Sequence, residues 1–170
     1  MRLIPFTLVA FGVLAQCAPR AVSQASMTTV YIARHAEKLD PQDPESPLST
    51  DGRARAAFLA DRLKGEDVTR IYATTKLRTQ QTAAPLAQAL GIEPVVLDPY
   101  ALDDLIARIR SGDQGRTVLV VGHSNSIPDI VRRLSGQGIE GIEENQYGRL
   151  FKVTLPADGA AALEEHRYGP

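Results

Sequence analysis

The chain predicts an α/β fold of three layers, with a mainly parallel central sheet, helices on both faces and an antiparallel hairpin at the C-terminal edge. Three observations predict it. Apolar runs of strand length alternate with longer stretches of helical periodicity, the pattern of repeated βαβ units. Two of those runs, Thr28–Arg34 and Thr117–Gly122, are each followed or ended by a polar cluster, Arg34-His35 and His123-Ser124-Asn125, so chemistry is placed at two strand ends. The last segment, Arg149–Leu155, leads through Pro-Ala-Asp-Gly into a second extended run ending at Tyr168, which reads as a hairpin.

The 170 residues begin with Arg2 and an uncharged run, Leu3–Ala15, that is too short to span a bilayer as a stable helix and has the length of a signal-peptide core. Residues 1–25 are therefore expected to be an export signal, with cleavage sites of the small-x-small kind at Ala21-Val-Ser23 and Ser23-Gln-Ala25. Its removal takes away Arg2 and Arg20 and no acid, which moves the net charge from −1 to −3. Cys17 is the one cysteine, so no internal disulfide can form. Leu14-Ala-Gln-Cys17 also resembles a lipoprotein processing site, with Gln16 where a small residue is usual. Both routes predict a protein of the bacterial periplasm or secreted, with membrane contact only if Cys17 is lipidated.

Residues 26–170 form a single domain of ordinary size with a core that needs no staples. Hydrophobic content of 44% and charged content of 23% exclude a disordered chain or one with many membrane spans. No run of Lys and Arg gives a nucleic-acid footprint, while a phosphorylated small molecule or phosphoprotein remains open as a partner, and a monomer is expected.

After the first strand, Lys38–Ser49 contains three prolines and few apolar residues, and is read as a loop that overhangs the Arg34-His35 end. A helix capped by Ser49 or Thr50 runs to about Lys64, with Ala56, Leu59, Ala60 and Leu63 on one face and Gly65 as its stop. Strand two is Arg70–Thr74. The helix after it, Lys76–Leu90, carries Arg78 in its first turn and Pro85 in its interior, so a kink or a restart is expected there. Strand three is read as Glu93–Asp98, a third helix as Ala101–Arg110 with Leu102, Leu105, Ile106 and Ile109 inward, and a fourth as Ile127–Leu134.

In open parallel sheets ligands bind at the carboxyl ends of strands where the strand order reverses. Arg34, His35, Arg78 and His123 all fall on that edge. Two guanidiniums and a second imidazole around one neutral histidine suit phosphoryl transfer to nitrogen, because the phosphate charge must be matched by positive donors. His35 is the expected nucleophile, kept neutral by the cations around it.

On these residues the chain resembles the histidine phosphatase superfamily, the phosphoglycerate-mutase-like group, and in particular its small uncapped bacterial members. Arg34-His-Ala-Glu-Lys38 looks like the Arg-His signature, Pro47-Leu-Ser-Thr-Asp-Gly-Arg53 like the segment opening the first helix, Thr75–Ala83 like the second-arginine motif, and Val121-Gly-His-Ser-Asn125 like the second-histidine motif. The resemblance implies that His35 is phosphorylated, that Arg34, Arg78 and His123 bind the phosphate, and that neither metal nor cofactor is needed. It also implies a general acid, usually a carboxylate between the second-arginine motif and the second histidine. Asp98, at the end of strand three, is the first candidate and Glu37, beside the nucleophile, its rival. Without an effective acid, only phosphates with good leaving groups, such as phosphohistidine, acyl and aryl phosphates, turn over well.

Two alternatives use the same residues differently. A catalytically weak phosphate- or phosphoprotein-binding module would use the arginines without turnover. Gly122-His-Ser-Asn-Ser126 comes within one residue of a serine-hydrolase elbow, which would make Ser124 a nucleophile served by Asp129 or Asp158 and His166. A mutase is disfavoured by the short span from Arg78 to His123, which holds no insertion to cap an intermediate. The three histidines His35, His123 and His166 share no metal-ligand spacing.

Overall fold

A computed structural model describes residues 27–169. The expected leader, residues 1–25 with Cys17, lies outside the described residues. The order of elements is β1 Thr28–Arg34, α1 Thr50–Leu63, β2 Val68–Thr74, α2 Leu77–Leu90, β3 Val95–Leu97, α3 Leu102–Ala107, β4 Thr117–Gly122, α4 Ile127–Ser135, β5 Arg149–Leu155 and β6 Ala162–Arg167. They form one sheet in the order β3-β2-β4-β1-β5-β6, parallel from β3 to β1, with β5 and β6 antiparallel at the far edge.

The alternation of side chains along the central strands splits the core in two. Val30, Ile32, Val118 and Val120 meet Leu105, Ile109, Ile127, Ile130 and Leu134 on the face covered by α3 and α4. Tyr31, Ala33, Leu119 and Val121 meet Leu59, Leu63, Ala83 and Leu86 on the face covered by α1 and α2. The helices after β1 and β4 therefore leave the sheet on opposite sides. That divergence opens a crevice at the carboxyl ends of two neighbouring strands.

Ser49 caps α1 by accepting a bond from Gly52 N at 3.0 Å, and Gly52 itself packs against the Glu37 backbone, two residues after His35. A Cβ there would lie 2.3 Å from the Glu37 carbonyl oxygen, so this position of the first-helix motif has no room for a side chain.

Three expectations are corrected. Strand three is Val95–Leu97 rather than Glu93–Asp98, because Pro94 has no N–H for the ladder and Asp98 folds into a turn, its Oδ1 accepting from Tyr100 N at 2.8 Å. Helix α2 runs unbroken through Pro85, since burial of Thr82, Ala83, Leu86 and Ala87 on its inner face outweighs one missing backbone bond. The third helix ends at Ala107 and continues as a π-helical turn over Arg108–Gly112, which keeps Ile109 inward.

Candidate active site

Parallel pairing of β1 with β4 puts Arg34 opposite Gly122, so the next residues, His35 and His123, emerge side by side. The His35 amide continues the ladder to the Gly122 carbonyl at 3.0 Å, and the two imidazoles meet edge to face with ring centres 5.4 Å apart. Gly122 permits this turn, because a Cβ would lie 3.1 Å from Ser126 Oγ, the atom that accepts the His123 amide bond at 3.1 Å. Strand β2, on the other side of β4, delivers Arg78 in the first turn of α2, with Nη2 3.4 Å from His123 Nδ1. Four residues read from the sequence as one constellation thus converge.

His35 is buried and lies 2.8 Å by Nδ1 from the Ala36 carbonyl. A carbonyl only accepts, so Nδ1 carries the proton and Nε2 keeps the lone pair. Burial pushes its pKa from 6.5 to about 3, with Arg34, His123 and Arg78 adding to the effect against the Ala36 bond. The sequence had assigned the neutral state to the cations; desolvation is the larger cause. The backbone here is tied to the second arginine, since Ala36 N donates to Thr82 Oγ1 at 3.0 Å and that hydroxyl donates to the Arg78 carbonyl at 2.8 Å.

Arg34 is buried beside His35, behind the residues that line the cleft, and is already engaged. Its Nη1 donates to the carbonyls of Glu143, Glu144 and Gln146 at 2.8, 3.0 and 3.1 Å, its Nη2 pairs with Glu144 Oε2 at 2.9 Å, and its guanidinium stacks 4.5 Å from the Tyr147 ring centre. Glu144 also accepts a bond from Ser124 Oγ at 3.0 Å, and that hydroxyl together with the Arg34 charge holds its carboxyl below the usual range. Sequence reading missed Glu144. It lies in the loop before β5, and nothing in its own neighbourhood signals the site; only the pairing of β5 beside β1, with Leu150 opposite Ala33, carries that loop there.

The cleft over these groups has a volume of about 280 Å³ and is lined by His35, Arg78 and His123 together with Lys38, Lys76, Pro99, Tyr100, Ser124, Asn125 and Glu144. The proline-rich loop does overhang it: Arg78 Nη1 donates to the Pro44 carbonyl at 2.6 Å, and Lys76 pairs with Glu45.

Neither acid candidate lines this cleft. Asp98 sits beyond Pro99, occupied with the Tyr100 amide. Glu37 points toward α1, where Oε1 accepts from Arg55 Nε at 2.7 Å, and its carbonyl takes the Ser49 amide at 2.9 Å. The serine-hydrolase set is not brought together either. Ser124 Oγ bonds to Glu144, Asp129 pairs with Arg132 and Arg133, Asp158 is exposed in the hairpin turn, and His166 lies on the outermost strand 3.5 Å from Glu164. Among the described residues no group of three His, Cys, Asp or Glu gathers as a metal site.

Comparisons with known proteins bear on the family and the fold. A family model described as "Histidine phosphatase superfamily (branch 1)" matches residues 30–100, which span β1 to the turn after β3. The probable phosphoglycerate mutase GpmB of Cronobacter sakazakii is 35% identical over 158 residues, covering 82% of this chain and 70% of that protein. Its counterpart in Enterobacter sp. (strain 638) is 35% identical over 109 residues, 61% of this chain and 46% of that protein, so the match spans less than half of that relative's length. Among solved structures, the protein histidine phosphatase SixA bound to tungstate superposes with a TM-score of 0.63 at 22% identity, over 82% of this chain and 96% of that one. A mycobacterial glucosyl-3-phosphoglycerate phosphatase gives 0.64 at 12% identity, over 84% and 100%. At these identities the structural likeness speaks for the fold.

Proposed function

Since the chain belongs to the histidine phosphatase superfamily, we propose that it hydrolyses phosphorylated substrates without a metal, through a phosphohistidine on His35. The substrate is a small phosphorylated molecule or a phosphoprotein side chain. The observation that carries the reading is the state of His35: neutral, with its proton held on Nδ1 by the Ala36 carbonyl and Nε2 left as the free lone pair beside Arg78 and His123. In the first step Nε2 bonds to phosphorus as the bond to the leaving group breaks. In the second, water attacks the phosphoryl group, His35 leaves with its lone pair, and inorganic phosphate is released.

Arg78 stabilises the charge on the transferred oxygens as a donor held ready before the reaction. Arg34 joins it when a phosphate oxygen replaces the Glu144 carboxylate at Nη2, an exchange made easy by the exposure of that glutamate, 79% of its side chain. Among the described residues Glu144 is the one carboxylate lining the cleft, and it is ionised and paired, so none of them offers a protonated carboxyl for a poor leaving group. Phosphohistidine, acyl phosphates and aryl phosphates are therefore preferred to alkyl phosphates.

The same observation favours the second reading, a phosphate-binding module with little turnover. Quenching with labelled p-nitrophenyl phosphate decides between them. The enzyme traps alkali-stable, acid-labile label on His35 and keeps its activity in EDTA, whereas binding without release of phosphate selects the module. Label on Ser124, or activity that needs added Zn²⁺ or Mg²⁺, refutes the mechanism. We further propose that residues 1–25 export the domain. Mature protein beginning at Cys17 in the detergent phase supports the lipoprotein route, a soluble form beginning near Gln24 or Ser26 supports plain export, and retention of Met1 in a cytoplasmic pool refutes both.

A further inference from the structure

We propose that Thr74, backed by Thr79, fixes His123 as the tautomer protonated on Nε2, so that a phosphate entering this cleft takes up a proton at His123 Nδ1. The inference rests on the phosphate-binding reading above and adds a positioning role for two threonines that it leaves unused.

The assignment comes from placing every proton. An arginine only donates, so the contact of Arg78 Nη2 with His123 Nδ1 at 3.4 Å makes Nδ1 the acceptor and puts the ring proton on Nε2. Nε2 lies 3.0 Å from Thr74 Oγ1, which must then accept. The next residue in the chain of bonds allows it. Thr79 is fully buried, and its hydroxyl lies 2.8 Å from the Lys76 carbonyl and 3.1 Å from the Thr74 carbonyl, so its proton goes to a carbonyl. Its oxygen accepts the Thr74 amide at 3.0 Å and the Thr74 hydroxyl, also at 3.0 Å. Thr74 Oγ1 has then donated its proton and has lone pairs for His123 Nε2 and for the Lys76 amide at 3.3 Å. No donor in the chain is left over.

The consequence lies at Nδ1. The charged and titratable groups around the ring are Arg78 and Lys76 from α2 and its lead, Arg34 and His35 from the end of β1, and Glu144 through Ser124 from the loop before β5. A phosphate dianion brings only acceptors to a ring that already presents a lone pair. The pair becomes attractive when one proton enters between them, and the dianion, which also offsets the charges of Arg78, Arg34 and Lys76, then favours an imidazolium that burial and those cations disfavour in the empty cleft.

The test has two parts, neither of which needs turnover. Two-bond ¹H–¹⁵N spectra of the unliganded protein at pH 8 should show His123 as the Nε2–H tautomer. Calorimetric titration with inorganic phosphate at pH 8, in buffers of different ionisation enthalpy, should show uptake of about one proton per site, beyond what the ligand's own protonation explains. Thr74→Val removes the acceptor, so the Nδ1–H form should appear in the spectrum and the uptake should fall toward half; Thr74→Ser should restore both. A wild-type His123 protonated on Nδ1 overturns the proposal whether or not the valine variant folds. So do phosphate binding without proton exchange, an undetectable binding heat, and a Thr74→Val protein with unchanged tautomer and uptake. A correct tautomer in a protein that never labels His35 leaves this proposal standing and refutes the phosphatase reading alone.

Discussion

Acid should unfold this domain through its two site histidines, and the size of the effect follows from where their protons go. Burial, aided by neighbouring cations, lowers His35 to about 3 and His123 to about 4, against 6.5 for an exposed imidazole. Between those values the unfolded chain binds a proton that the folded chain refuses, so stability is full above pH 6.5 and is lost as pH falls below it. At pH 5 the unfolded state gains about 2 kcal/mol from each histidine, or about 4 kcal/mol from the pair, relative to pH 7.5. The figure is insensitive to the folded values, because pH 5 lies above both. Urea unfolding of the wild type and of a His35→Asn, His123→Asn double variant, each at pH 7.5 and pH 5, isolates the effect, since His166 and the carboxylates contribute to both proteins alike. The wild type should lose about 4 kcal/mol more than the variant over that interval. Equal losses would refute the neutral, desolvated state of the site on which the nucleophile argument depends.

Replacing Glu144 by Gln should tighten inhibition by inorganic phosphate about two- to fivefold, the worth of an exposed ion pair, by freeing Arg34; unchanged inhibition, or a loss confined to alkyl phosphates, would argue against displacement by substrate. Asp98→Asn and Glu37→Gln should each leave the ratio of aryl to alkyl phosphate turnover unchanged, because neither side chain lines the cleft; a loss specific to alkyl phosphates in either variant would restore it as the general acid. Gly52→Ala should lower stability by about 1–3 kcal/mol in chemical unfolding, through the clash of its Cβ with the Glu37 carbonyl, and wild-type stability would refute that close approach.

The fold was legible where one physical cause dominated the residues. β1 and β4 lie where the apolar runs placed them, at Thr28–Arg34 and Thr117–Gly122, because strands buried on both faces need continuous apolar sequence. Helix α1 begins at its Ser49 cap because that side chain takes up the otherwise unpaired Gly52 amide. The misreadings came where local and tertiary influences oppose each other: Pro85 argues for a break, and the packing of α2 against α1 and the sheet overrules it. Strand three was drawn too long because its polar ends, Glu93 and Asp98, are not needed by an edge strand that pairs with β2 alone.

The site divides along the same line, and the division bears on how its chemistry is controlled. His35 and His123 were legible because each is fixed by the strand immediately before it, and Arg78 because a helix turn follows β2 directly. Thr74 and Glu144 were not, for different reasons. Thr74 is an ordinary β-former at a strand end, and its role exists only in relation to a ring that β4 delivers from the neighbouring strand. Glu144 depends on the sheet order itself, since a β5 placed elsewhere would leave Arg34 free and the carboxylate in solvent. The groups proposed to hold phosphorus are thus placed by short-range sequence, while those proposed to set the proton of His123 and the availability of Arg34 are placed by long-range pairing. Substitutions that shift β5 against β1 should therefore alter phosphate affinity through Arg34 while leaving the His35 proton on Nδ1, because the Ala36 carbonyl that holds it belongs to the same short stretch of chain.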